Sequence, residues 1–139
     1  MVMKIEVLTP QRIIFSTTAD EVILPTESGL IGILDGHAPL ITNLDTGLMR
    51  LKHEGKWVPL ILLGGVAEIQ KDNIIVLVNG VEEIFKKDKK KASEEVEKAR
   101  LALEAAETSK KRLDALVELK RSLARLEANN YLKDETDKN

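Results

Sequence analysis

The stretch EVILPTESGLIGILDGHAPLIT, residues 21–42, decides how the chain is read. Val22-Ile23-Leu24 is a short apolar strand that stops at Pro25. Thr26-Glu27-Ser28-Gly29 is a turn. Leu30–Leu34 is a second apolar run, interrupted by Gly32, and Asp35-Gly36 turns into His37-Ala38-Pro39 and a third apolar run. Glycine stands where a backbone needs positive φ or close approach. Proline stands where a ladder can spare an N–H. No charge interrupts Leu30–Leu34, so the run is either core or an adhesive surface. That alternative governs the function.

On both sides of this stretch the pattern is that of short strands. Met3, Ile5 and Val7 alternate with Lys4 and Glu6, a strand with one wet face. Thr9–Arg12 is a turn, Ile13-Ile14-Phe15 a second strand, and Ser16–Asp20 a loop. Gly47–Lys52 alternates, and His53-Glu54-Gly55-Lys56 reads as a hairpin turn. Trp57–Leu63 is apolar and contains Pro59, which predicts an edge or a bulge. Gly64-Gly65 breaks it, and Val66–Gln70 and Ile74–Val78 follow as strands before the Asn79-Gly80 turn. Ile74–Val78 shows no alternation, which predicts burial on both faces. Short strands at regular spacing, with Gly, Pro and Asn turns, predict an all-β sandwich or barrel over residues 1–84.

From Phe85 the composition changes. The lysines from Lys86 to Lys91, clustered around Asp88, predict a solvated linker over 85–91. Ala92, Val96, Ala99, Leu103 and Ala106 then recur at helical spacing, with Ser93 as N-cap and Glu94 and Glu95 suited to the positive helix end. Leu116, Leu119, Leu123 and Leu126 mark a second helix, widened by Leu113 and Val117. Joined through Thr108-Ser109-Lys110, the two predict an antiparallel helical hairpin over 92–132. The polar segment 133–139 is expected to be a disordered tail. An Ala-rich seam buries little area at ~25 cal/mol per Å², set against ~1–2 kcal/mol of backbone entropy per ordered residue. The hairpin is therefore expected to be marginally stable alone and able to dock, undock or straighten.

The totals narrow the function classes. With 139 residues, 43% hydrophobic and 32% charged, the chain suits one domain with an appendage and is globular. Aromatics at 3% are too few for stacking on nucleic acid. There is no cysteine, which excludes disulfides and thiolate sites. No apolar run approaches the ~20 residues of a membrane span. The first ten residues contain an acid and alternate, so a strand is expected there, not a signal or transit peptide, in a protein made where it works or already mature. Net charge is −2, yet residues 1–84 carry six Lys/Arg and eleven Asp/Glu, and residues 85–139 carry fifteen and twelve. The two parts thus suit different partners.

No catalytic constellation is convincing. His37 near Asp35, with Ser28 as nucleophile, would make a small hydrolase, but Asp35-Gly36-His37 is also ordinary turn chemistry. His53 lies in a hairpin turn, and two isolated histidines give no metal-ligand spacing. Gly29-Leu30-Ile31-Gly32 has the spacing of a GxxG nucleic-acid clamp, but its inner pair is apolar and the surrounding domain is acidic. The lysine run would suit anionic lipid, although a solvated linker is its usual meaning. The residues therefore predict a binding or mechanical protein, with no catalytic residue, cofactor or metal.

The ordered motifs carry a resemblance. LPTESGLIGILDGHAPLIT, then Asp45-x-Gly47 and Arg50, Trp57, Leu63-Gly64-Gly65-x-Ala67 and Val76-Leu77-Val78-Asn79 resemble the epsilon subunits of F-type ATP synthases. The opening Leu8-Thr9-Pro10-x-Arg12-Ile13 is most similar to the plastid and cyanobacterial branch. The resemblance covers the β-domain throughout and the hairpin more loosely. It implies a ten-stranded β-sandwich followed by a two-helix hairpin, placed on the central rotor at the thylakoid membrane, on its stromal side in plastids or its cytoplasmic side in cyanobacteria. The protein would be peripheral, associated with the membrane only through the complex. The implied partners are the gamma subunit, the proton-driven c ring and, through the hairpin, the catalytic beta subunits; nucleic acid is not among them. The implied c-ring contact is made by Glu27, Ser28, Gly29, Leu30, Ile31 and His37. The implied beta-subunit contact, which inhibits ATP hydrolysis, is made by Lys120, Arg121 and Arg125. Some bacterial members bind ATP through an Ile/Leu-Asp-x-x-Arg-Ala motif. Leu113-Asp114 here is followed by Ala115, Leu116, Val117 and Glu118, which implies weak or no ATP binding. The expectation is thus a non-catalytic coupling and inhibitory rotor subunit, and the alternative a free-standing adaptor or chaperone-like binding module.

Overall fold

The computed structural model describes residues 2–132, so the expected tail at 133–139 lies outside the described residues. The chain divides between Glu83 and Ile84 into two compact units.

The first unit is a β-sandwich made by folding one sheet over itself. Its strands are β1 (Met3–Leu8), β2 (Ile13–Ala19), β3 (Glu21–Thr26), β4 (Gly29–Leu34), β5 (Leu40–His53), β6 (Lys56–Gln70), β7 (Asn73–Val78) and β8 (Val81–Glu82). Their order is β2-β1-β7-β6-β5-β3-β4, with β8 paired to β6. The contacts are antiparallel except β1 with β7, which run parallel. β5 and β6 are the long elements, fourteen and fifteen residues, and each serves both layers. The first half of β6 pairs with β8 and the second half, from Gly65, with β7. β3 pairs with the second half of β5, then jumps three residues in register to meet Leu44. Gly47 lies in that bulge, where a Cβ would stand 3.1 Å from the Pro25 side chain.

The ten strands expected are corrected to eight, in one continuous sheet, among the described residues. Gly64-Gly65 reads as a breaker, but its positive φ values, 73° and 153°, turn the corner inside a continuous β6. A Cβ on Gly65 would lie 2.2 Å from the Leu77 carbonyl oxygen, so the close passage of β7 requires glycine there. The β5–β6 hairpin closes through Glu54 and Gly55, both at positive φ, which matches the twist of the flanking strands.

The core is the inward row of both layers: Met3, Ile5 and Val7 of β1, Val22 and Leu24 of β3, Ile33, Met49, Leu51, Ile69, Ile74 and Val76, all essentially inaccessible to water. β7 is corrected from burial on both faces to burial on one. Ile74, Val76 and Val78 point inward while Ile75 and Leu77 stand exposed on the outer face. Pro59 has β5 on one side, and β8 on the other reaches only Ile61 and Leu62, so the edge expected there is present.

The second unit holds α1 (Lys89–Ala105), α2 (Ser109–Ala128) and a single 3-10 turn (Asn129–Tyr131). α1 starts earlier than expected. Asp88, not Ser93, caps it, accepting from the Lys90 N–H at 3.2 Å, so Lys89–Lys91 belong to the helix and not to a linker. Thr108 caps α2 by accepting from the Lys111 N–H at 3.1 Å. The seam expected on α1 is present, with Ala92 and Ala99 buried and Val96, Leu103 and Ala106 half-buried. On α2 the expected leucine stripe is corrected. Ser122, Ala124 and Ala128 are the buried positions, Leu116, Leu119 and Leu126 are half-buried, and Leu113, Val117 and Leu123 are exposed. Small residues permit the closest approach, and the leucines flank that line.

Candidate functional site

The β3–β4 hairpin presents residues 26–34 at one edge of the sheet, because β4 pairs only with β3. Thr26 and Gly29 form its closing pair, with Glu27 and Ser28 as the two-residue loop. Thr26 Oγ1 donates to the Gly29 carbonyl and accepts the Ser28 N–H at 3.2 Å, which fixes the loop, and Gly29 supplies φ of 119°. Along β4 the pleat then separates two rows. Ile31 and Ile33 turn inward, half-buried and buried. Leu30, Gly32 and Leu34 turn outward, with Leu30 62% and Leu34 58% exposed. The run is thus both core and surface, one row each, and its exposed row carries no charge.

At the far end of β4 the chain turns through Asp35 and Gly36. The His37 N–H donates to the Leu34 carbonyl at 3.1 Å. His37 Nδ1 lies 2.6 Å from the Ala38 carbonyl oxygen, which only accepts, so Nδ1 carries the proton and donates. Asp72, in the β6–β7 turn, has its pKa raised above the ordinary value by the Asp35 carboxyl, first through side-chain hydrogen bonding and then through like charge.

This geometry removes the hydrolase. Ser28 and His37 flank opposite ends of a six-residue strand, about 20 Å apart at the rise of a strand. His37 Nδ1 is occupied by a backbone carbonyl and is not oriented by a carboxylate. Of the residues expected at one contact, Glu27, Ser28, Gly29, Leu30 and Ile31 gather at the hairpin tip. His37 stands at the other end of the strand, and Ile31 packs partly into the core. Leu34, which the sequence reading did not single out, completes the outward row; its period-two spacing from Leu30 was the available signal.

The basic positions of α2 are engaged. Arg125 Nη1 is 3.0 Å from Glu118 Oε1 and 3.8 Å from Glu95 Oε2 on α1. Glu95 also accepts from Lys87 Nζ at 2.8 and 3.1 Å. Lys120 and Arg121 are half-buried and have partners of their own. Leu113 and Asp114 are both exposed. A cleft of about 940 Å³ in this unit is bounded instead by Lys86, Lys87, Lys89, Leu123, Leu126 and Asn129. Among the described residues no group of three or more His, Asp or Glu side chains could hold a metal ion, and no helix is long and apolar enough to cross a membrane.

Residues 2–84 match the family described as ATP synthase, Delta/Epsilon chain, beta-sandwich domain. The chain is 62% identical over 132 residues to the chloroplastic ATP synthase epsilon chain of Trieres chinensis, covering 95% of this chain and 99% of that one. It is 46% identical over 132 residues to that of Gracilaria tenuistipitata var. liui, covering 95% and 98%. Among solved structures it is similar to a chain of the Euglena gracilis mitochondrial ATP synthase OSCP/F1/c-ring assembly. The TM-score is 0.74 with 19% identity, over 91% of this chain and 80% of that one. A chain of the Tetrahymena thermophila mitochondrial ATP synthase central stalk and c ring gives a TM-score of 0.60 with 12% identity, over 91% and 96%. At those identities the two structures speak for the fold.

Proposed function

Because this chain belongs to the delta/epsilon family of ATP synthase subunits, we propose that it is the epsilon chain of a plastid ATP synthase, coupling gamma to the c ring and restraining ATP hydrolysis through its hairpin. Near-complete coverage of the chloroplastic epsilon chains supports an accessory, non-catalytic subunit in the plastid. The proposed seat is peripheral, on the stromal side of the thylakoid membrane.

The observation that carries the coupling reading is the uncharged outward row of Leu30, Gly32 and Leu34 on a sheet edge. An uncharged apolar row exposed in the isolated chain suits an interface with another protein surface, and the proposed surface is that of the c ring. The contact is then a strip along β4, from Glu27 at the tip to His37 at the far end, with Ile31 setting its shape from below. Gamma takes another face of the sandwich.

In the inhibitory reading, the hairpin opens and presents Lys120, Arg121 and Arg125 to an acidic segment of the beta subunits. The closed hairpin already spends Arg125 on Glu118 and Glu95, so closing and inhibiting compete for the same charge. ATP binding plays little or no part.

The test is ATP hydrolysis by a catalytic head stripped of its own epsilon subunit, with this protein titrated in at low and at moderate salt. A saturable fall in rate, weaker at moderate salt, is expected. A chain ended after Lys87 should still bind gamma and no longer lower the rate. Binding to gamma with no fall in rate would leave only the coupling role, and failure to bind gamma would return the protein to a free-standing adaptor.

A further inference from the structure

The end of the hairpin opposite its connection is closed by a set of contacts between Lys86-Lys87 and the residues just past α2. The Lys87 N–H donates to Asn129 Oδ1 at 3.3 Å, and Asn129 Nδ2 donates back to the Lys87 carbonyl at 3.1 Å. A carboxamide holds an NH2 donor group beside a carbonyl acceptor, so it can pair with a peptide group in both directions. Lys86 Nζ donates to the carbonyls of Asn129 and Leu132, each at 3.3 Å. These are carbonyls past the end of α2, where a cation is favoured.

The start of α1 needs this support. Its first turn contains Lys89, Lys90 and Lys91 and no acid, three cations at the positive end of the helix. Lys87 stands immediately before the Asp88 cap, so fixing its backbone fixes the entry to the helix. The seam above supplies only Ala92 and Ala99 as fully buried positions of α1.

We propose that Asn129 is the clasp of the hairpin: its carboxamide, together with Lys86, ties the chain ahead of α1 to the end of α2 and sets how readily the two helices separate. The inference rests on the reading of the hairpin as the inhibitory arm and names what holds that arm shut. While the clasp is closed, Glu95 stays beside Arg125. Once it opens, Arg125 can exchange that partner for an acidic protein surface. The carboxamide pairing carries no charge, so salt screens the Glu95, Glu118 and Arg125 pairs and leaves the Asn129 pairing intact.

The test is amide hydrogen exchange on the full chain, with inhibition of the epsilon-stripped head measured in parallel. Asn129 has ordinary right-handed helical backbone, φ −57° and ψ −27°, so Asn129→Ala strains nothing. It should accelerate exchange at Lys87 and at Lys90–Ala92 roughly thirtyfold, the effect of losing two hydrogen bonds of average strength. The acceleration should persist in half-molar salt and leave the sandwich amides unchanged. Lys86→Met should accelerate the same amides to a smaller degree, and Asn130→Ala, at the exposed neighbouring residue, should not. No acceleration in Asn129→Ala, or an equal one in Asn130→Ala, would overturn the clasp. Inhibition should set in at several-fold lower concentration of Asn129→Ala. Faster exchange with no inhibition by either chain would leave the clasp standing and remove the inhibitory reading beneath it; inhibition present but unchanged in Asn129→Ala would overturn the clasp as the control of the arm.

Discussion

The sandwich and the hairpin bury opposite kinds of residue. Inside the sandwich lie Ile, Leu, Val and Met side chains with almost no water contact, and only Ala19 and Ala67 among them are small. The hairpin buries Ala92, Ala99, Ala124, Ala128 and one serine. A branched side chain contributes ~1.5–3 kcal/mol on full burial and a methyl group less than 1. The Ser122 hydroxyl, moreover, spends itself on the Glu118 carbonyl one turn back at 2.8 Å. One chain thus carries a unit packed on large branched side chains and a unit held along a seam of small ones. That difference suits the proposed subunit, which would transmit torque through one part and switch with the other.

The comparison breaks most sharply at Gly65. A methyl group there would stand 2.2 Å from the Leu77 carbonyl and 2.8 Å from the Val78 Cα, on a backbone with φ of 153°. Backbone atoms cannot step aside as a side-chain end can. Gly65→Ala should destabilise the sandwich by more than about 4 kcal/mol, the range of severe single substitutions. Urea unfolding followed by Trp57 fluorescence would show it. A loss below about 1 kcal/mol would mean that the corner of β6 is compliant and the sandwich less rigid than its core implies.

A second comparison lies within β4, between neighbours of similar size. Ile33 is fully buried and Leu34 is 58% exposed. Ile33→Ala should cost about 2–5 kcal/mol of stability, whereas Leu34→Ala should stay within about 0.5 kcal/mol. The order should invert in binding to a gamma–c-ring subcomplex. Leu34→Ala, and more strongly Leu34→Lys, should weaken it about tenfold or more, as expected for an apolar contact residue. Unchanged ring binding by Leu34→Lys would remove the proposed strip while leaving the fold untouched.

Much of this could be read from the sequence because alternation and turn residues are local signals. Met3, Ile5 and Val7 announce their inward row directly, and the helical spacing of Ala92, Val96 and Ala99 gives the seam of α1. What escaped was set by distant parts of the chain. Gly64-Gly65 looks like a break until β7 passes close enough to demand it. Ile74–Val78 looks buried on both faces because Ile75 and Leu77 are apolar too, and apolar residues on an outer face leave no alternation to read. Lys89–Lys91 look like linker because their charges oppose a helix start, which Asp88 nevertheless caps. The candidate site was legible as a stretch but not as a surface. An unbroken apolar run hides which alternate residues face out, and sequence does not show that Nδ1 of His37 bonds the Ala38 carbonyl. The Arg125–Glu95 pair joins two helices and leaves no trace in spacing.

The smallest expected effect lies at the acidic corner of the sandwich. The Asp35 carboxyl, through side-chain hydrogen bonding first and like charge second, raises the Asp72 pKa above the ordinary 3.8. The sign follows from linkage. The folded chain holds this proton more tightly than the unfolded chain, so the pair costs nothing below pH 3.8 and destabilises once pH has risen through the raised folded value. Asp72→Asn should therefore raise Tm slightly at neutral pH, since the amide can donate to the Asp35 carboxylate without repelling it. The gain should shrink as pH falls through the window just above 3.8. Thermal melts of both chains between pH 3 and 7 would decide it. A Tm difference independent of pH would mean that the two turns are not coupled through their carboxyl groups. The far end of β4 would then be held by its ladder to β3, where Leu34 pairs with Glu21, by the His37 backbone bond to Leu34 and by the packing beneath it.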